Sequence, residues 1–454
     1  MSNINGLSTS AIAALSTAQI QSLTTQDIVT LTTAQIAVLT TAQLVALKTS
    51  QVAVLTTAAI AALSTSQVGA LETLDVAVLN TKQIQALTTA GVAALTTAQA
   101  AVLTTAGVVA LSTAQIQALT TSAIAAMTSA QMAAMETVDV AALTTSQVAA
   151  IETADVAALK TTQIQALTTA GIAALTTAQV QAVTTAGVAA LTTAQVQAVT
   201  TSGVAALTTA QVQSVTTAGV AAMTTAQIAQ LSTVQANALT SAQLNVLSLK
   251  QVAAITTADL QAISTSAIVG LSTDNLVSLK TDKLSALSTA QMASLTTAQA
   301  VAFSVDLQFA KLSTSKDASM STASQAALTN EQIVALTTAQ AAAITSTQAA
   351  SLTLTQLQNM ETRDLTVLGT ASVAAISSAN LALLDPTQIA ALSTTQMAAM
   401  TSTNLGGLTT AQIVALTGAQ EAVLTTAQAN YMTTAHMVDL KEGQLHSIKT
   451  ATMP

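Results

Sequence analysis

The sequence contains no cysteine and no tryptophan, only two prolines, and three aromatic residues, Phe303, Phe309 and Tyr431. The missing cysteines exclude disulfides and thiolate metal sites and leave the redox compartment open. With aromatics at 1%, a thick core of large side chains is excluded, so any core must be thin, regular and aliphatic. Charge is also scarce. Charged residues make up 7% of the chain, against ~25% in ordinary globular domains. Eleven Lys and Arg and a net charge of −8 argue against a protein that tracks nucleic-acid phosphates. Long apolar runs are missing too. Thr or Ser returns every eight residues, so no stretch approaches the ~18–20 apolar residues that span a bilayer. Residues 1–7 have neither a basic nor an apolar leader segment, so export would proceed without a cleaved leader.

What is present is a repeat. From Thr168 to Val215 the chain reads TTAGIAAL, TTAQVQAV, TTAGVAAL, TTAQVQAV, TTSGVAAL, TTAQVQSV without a gap. With Thr168 as position one, the register holds from Ser8 to Phe303, is broken by the nine-residue unit Ser304–Leu312, and resumes from Ser313 to Ile448. The organisation expected is therefore a regular array over 1–303, an irregular joint over 304–328, a more varied array over 329–448 and a tail over 449–454. The joint carries Phe309 with Lys311 and Lys316, Phe303 standing just before it, and the last octads are the most polar, holding His436, Asp439, Lys441, Glu442 and His446. Such polarity suits a terminal repeat, whose outer face has no neighbour.

The octad reads as a short helix. Its large apolar residues stand at positions five and eight, as in Ile12 and Leu15 or Ile20 and Leu23, three apart and so on one helical face. Thr or Ser at position one with Gln or Asp at position four has the spacing of a capping box, and the preceding Leu with the Ile at position five forms the hydrophobic staple. Asp385-Pro386 supports this frame, since Pro is preferred just after an N-cap. Lys48, Glu72 and Lys160 at position one fit less well and would allow a cap one residue later. A single unbroken helix is disfavoured, because an eight-residue period would make the apolar stripe drift by ~80° per unit. A β-solenoid is the alternative, since Thr, Val and Ile favour strands, but positions five and eight would then point to opposite faces. The expected fold is an all-α solenoid of short capped helices.

Alternate octads differ. Position four is Gln in one set, from Gln19, Gln35 and Gln51 through Gln243, and mostly Ala, Asp or Gly in the interleaved set, which holds Gly91, Gly107, Gly171, Gly187, Gly203 and Gly219. This alternation predicts a sixteen-residue coil of two helices, each set lining its own face.

Chemistry is thinly represented. The one recurrent charged motif is Glu-Thr-x-Asp, at Glu72/Asp75, Glu136/Asp139, Glu152/Asp155 and Glu361/Asp364. Paired carboxylates suit a hard cation such as calcium, which takes six to eight oxygens; acidic residues are also simply favoured at helix N-termini. His436 and His446 stand ten residues apart without a third ligand and read as exposed polar residues. No catalytic triad and no phosphate-cradling loop appears, so an enzyme is not expected. The position-two Thr residues would stack into ladders, an array resembling ice-binding solenoids in composition only; Thr bonded to backbone is the simpler reading.

The octads resemble the long Thr/Ala/Gln-rich repeat proteins of bacterial genomes, often labelled adhesins or haem-utilisation proteins. That resemblance implies an extracellular or cell-surface structural role and carries over no functional residues; haem ligands are lacking. The function expected is a structural protein that self-associates into a filament, sheath or surface layer, with no nucleic acid and no small-molecule substrate as partner. The alternatives are an adhesin stalk, an ice-binding module or a molecular ruler.

Overall fold

In the computed structural model, which describes residues 4–303 and 308–439, each octad forms one short helix, and no strand occurs among the described residues. The β-solenoid alternative is thereby set aside. The octad beginning at Thr176 shows why the helix starts and stops where it does. Thr176 is extended (φ −68°, ψ 162°) and caps the helix Thr177–Ala182. Its hydroxyl accepts from the Gln179 N–H at 3.2 Å, while the Gln179 amide oxygen accepts from the Thr176 N–H at 2.8 Å. This reciprocal box satisfies two of the donors that a helix start leaves open. At the other end Val183 returns to extended geometry (φ −60°, ψ 127°) and the next cap, Thr184, is extended as well. Two extended residues therefore form this corner. A side-chain acceptor at position one holds that residue out of the helix, so the period of eight is written in the caps.

Lys48, Glu72 and Lys160 also occupy the N-cap itself, not the residue before it. At Lys48 and Lys160 the backbone N–H is taken by the amide oxygens of Gln51 (2.6 Å) and Gln163 (2.8 Å). One half of the box thus survives the loss of the short hydroxyl cap. Pro386 begins the helix Pro386–Ala390 behind its Asp385 cap, as the sequence predicts.

Positions four, five and eight face inward; positions one to three are exposed, as in Thr168, Thr169 and Ala170 against buried Gly171, Ile172 and Leu175. The all-α solenoid holds, but the expected sixteen-residue, two-helix coil does not. Within each unit, helices pack on the octad three along: Thr9–Ala13 on Thr33–Ala37, Thr81–Ala86 on Thr105–Ala110, Thr161–Ala166 on Thr185–Ala190. Side-chain bonds between coils keep the same step, Gln117 Nε2 to Ala142 O at 3.0 Å and Gln165 Nε2 to Ala190 O at 2.9 Å. The coil is three octads long, with three helices around one aliphatic core. The physical reason lies in the corner. Two extended residues turn the chain only part of the way around, so three corners are needed to close a coil. The alternation in sequence is real, but it stacks a Gln octad on a Gly, Ala or Asp octad.

The chain divides into two compact units, residues 1–230 and 231–454. In the second unit Gly270 allows close approach between coils: a Cβ there would lie 2.1 Å from the Ser241 carbonyl oxygen. The nine-residue insertion also falls in this unit. A single 3-10 turn, Phe309–Lys311, stands in place of a helix, with Phe303 and Phe309 buried. Residues 304–307 of the expected joint and the 449–454 tail lie outside the described residues, as do Lys441, Glu442 and His446.

Candidate functional site

The corners carry the chain's polar chemistry. A Gln at position four uses both ends of its amide. While the oxygen closes its own cap, the nitrogen reaches the coil beneath and donates to two carbonyls, 31 and 28 residues earlier. For Gln179 these are Val148 O (2.8 Å) and Ile151 O (2.7 Å); for Gln195 they are Ile164 O (3.0 Å) and Leu167 O (2.7 Å). A helix end leaves its last carbonyls without internal partners, so one buried Gln completes the start of one helix and the end of another. The helix it reaches lies four octads back, an even step, so donor and acceptor belong to the same alternate set.

Other donors take the same place. Asn275, Asn404 and Ser372 each reach the carbonyl 28 residues earlier, at 3.0, 2.8 and 2.7 Å. Lys283 and Lys316 reach backbone carbonyls of the preceding coil with Nζ, and burial lowers the pKa of both ammonium groups. Beyond the insertion Gln332 bonds Phe303 O at 3.0 Å across 29 residues, so the ladder absorbs the extra residue. His436, expected to be an exposed polar residue, is instead buried at position four, its Nδ1 accepting from the Thr433 N–H at 3.2 Å.

An Asp at position four cannot donate while ionised. In two octads a neighbour compensates: Thr24 and Thr256 each donate a hydroxyl to the carboxylates of Asp27 and Asp259, at 2.6 Å. The Glu-Thr-x-Asp octads lack that hydroxyl. Asp75, Asp139, Asp155 and Asp364 are at most 3% exposed, while the Glu caps Glu72, Glu136, Glu152 and Glu361 stay at the surface and make no cap bond. Ser129 donates to Asp155 Oδ1 at 2.6 Å, but Oδ2 of Asp75, Oδ2 of Asp155 and both oxygens of Asp364 accept no hydrogen bond. Burial raises the pKa of Asp75, Asp139 and Asp364, with the adjacent Glu adding repulsion in each. At Asp364 a guanidinium intervenes: Arg363 Nε lies 2.6 Å from Glu361 Oε2 and 3.8 Å from Asp364 Oδ1. The structure keeps each Glu/Asp pair on its own corner, and no group of three or more His, Asp or Glu forms among the described residues.

Two further features escaped the sequence reading. Asp317 and Gln325 occupy position five, where the core expects Ile or Val, and both are buried with no hydrogen bond to their side chains. Burial alone pushes Asp317 up to about 7. Reading position five octad by octad would have found them. The second is an apolar cavity of about 40 Å³ between Ile164 and Met223, where Val183, Val199 and Val215 replace the usual Leu at position eight. Its lining carries no polar side chain to orient a ligand.

No helix among the described residues is long and apolar enough to cross a membrane. No curated protein matches the chain. The ALTTAQ repeat family matches it over residues 23–57, 68–105, 105–137, 148–185, 252–289, 357–394 and 390–426. These segments cover more than half of the sequence and carry the capped octads described above, so the chain belongs to the ALTTAQ repeat family.

Proposed function

We propose that this is a structural protein, not an enzyme, and that it assembles with copies of itself into an extracellular filament, sheath or surface layer. The observation that carries this reading is the outer surface. Positions one to three are exposed in octad after octad and consist mainly of Thr, Ser and Ala, so any contact that forms once between two copies can form many times in register. A weak contact repeated in this way gains strength by multivalency. Net charge supports it: −8 spread over 454 residues opposes association only weakly. Contacts between unlike patches would leave such an assembly open-ended. The extracellular placement rests on the resemblance to surface repeat proteins, and protease treatment of intact producing cells tests it.

Negative-stain electron microscopy of the full chain, dilute and concentrated, tests the assembly. Ordered filaments or sheets that grow with concentration are expected. Dispersed particles at every concentration would overturn self-assembly in favour of a binding module such as an adhesin stalk.

A further inference from the structure

The corner ladder supplies a rule that the Glu-Thr-x-Asp octads break. Where position four is Gln, its amide meets two carbonyls of the coil beneath, and where it is Gly or Ala no polar side chain is buried there. In these octads a buried carboxylate faces the same register positions with no proton donor of its own, and a second carboxylate stands at the cap three residues before it. Like charges one helical turn apart destabilise each other, and a buried charge needs a partner. The chain also contains a self-sufficient solution, the Thr/Asp pair of Thr24 and Asp27. All four octads with Glu at position one nevertheless carry Asp at position four, never Gln.

In the fourth octad a cation stands beside the pair. Arg363, at the x position, brings its guanidinium to both Glu361 and Asp364. At the other three the x residue is Leu74, Val138 or Ala154, which carries no charge. Lys48 and Lys160 cap the helices stacked against those of Glu72 and Glu136, yet neither forms an ion pair with them; the ion pairs among the described residues are those of Arg363. Glu152/Asp155 is the barest case. The helices packed on it, Ser129–Ala134 and Thr177–Ala182, carry no charged residue in their helices or caps.

We propose that Glu72/Asp75 and Glu152/Asp155, whose buried Asp oxygens are left without a partner, each bind a calcium ion, which takes the place that Arg363 occupies beside the fourth pair. The donor set is all oxygen, the mark of a hard cation. At the second site it comprises the Glu152 and Asp155 carboxylates, the Ser129 hydroxyl, and the carbonyls of Ile124 and Met127, which occupy the register that Gln amides cap elsewhere. Three segments of the coil supply these groups. Calcium accepts such an irregular set, whereas magnesium demands a near-ideal octahedron.

The test is calorimetric titration of the chelator-stripped full chain with calcium chloride, with melting followed by circular dichroism. Saturable binding that raises the melting temperature is expected, with magnesium much weaker. Ala154→Arg lies on the exposed surface and supplies a tethered cation; Asp155→Gln supplies the amide of the ordinary rung. Each is expected to lose one calcium site while keeping the helical signal. No saturable heat up to about ten times the ~10⁻³ M of the weakest dedicated calcium modules would overturn the proposal, leaving the carboxyls protonated or hydrated. So would a full complement of sites surviving in both variants.

Discussion

At the scale of the residue, Gly203 shows how two substitutions one turn apart depend on each other. A Cβ at Gly203 would meet Val199 Cγ1 at 2.9 Å, and Val is stiff at χ1. At Gly171, which follows Leu167, the nearest Leu carbon lies at 3.7 Å and the position is roomier. Gly203→Ala alone should therefore lower stability by about 1 kcal/mol, strain outweighing the gain in helix propensity. Val199→Leu adds a methylene toward the cavity of about 40 Å³ and should stabilise by up to ~1 kcal/mol. With both changes Gly203→Ala should become neutral or stabilising. Urea denaturation of the two single variants and the double variant checks this, and strict additivity would refute the contact. The sequence shows Val and Gly recurring together here; that one excludes a Cβ from the other is a matter of packing.

At the scale of the helix, the Gln rung joins two elements with one side chain. Gln195→Leu would remove the amide that closes the Thr192 cap and donates to Ile164 O and Leu167 O. With each hydrogen bond worth ~1 kcal/mol net and buried carbonyls left unpaired, the expected cost is about 2–4 kcal/mol in thermal melting. Gln195→Glu keeps the shape but presents oxygen to oxygen. It should cost more at pH 8 than at pH 5, where protonation restores a donor; equal costs at the two pH values would show that the carbonyls do not sense the charge. Half of this rung was legible in advance. The capping box is local, three residues apart, and was read directly. The carbonyls it reaches are 28 and 31 residues away, and nothing in an octad names them.

At the scale of the whole molecule, stability should depend on pH through Asp317 in the second unit. Its carboxyl is raised to about 7 in the folded state by burial, against about 3.9 for an ordinary Asp. Below pH ~4 both states hold the proton and nothing is lost. As pH rises toward 7 the unfolded chain releases its proton first, so folding weakens, and the loss levels off above the folded-state value at roughly 4 kcal/mol. The one cation on its own helix, Lys316, turns its Nζ to the Ser285 carbonyl, and the helices packed on Thr314–Ser319, namely Thr289–Ser294 and Thr338–Ala343, carry no charge. Asp317→Leu should flatten this dependence and raise stability at pH 8, measured by chemical denaturation at pH 5 and pH 8. An unchanged pH profile would mean that the carboxyl is not the titrating group.

The order of events along the chain explains which features could be read early. Helix starts, helix lengths and the eight-residue period follow from interactions within three to five residues, between Thr176 and Gln179 or between Leu167 and Ile172, and these recur along the octads. The aliphatic character of the core follows from composition. Closure of the coil does not. It depends on how far the extended residues at the corners turn the chain, and the sixteen-residue alternation pointed to two helices where the corners require three. The burial of Asp155 and its one hydroxyl donor depend in turn on that closure, because only stacking with a 24-residue step brings Ser129 and Asp155 to 2.6 Å; the Arg363 bridge, within two residues of Glu361 and Asp364, does not. Local hydrogen bonds are additive and repeat with the sequence; the long-range ones exist only once the coil has chosen its circumference.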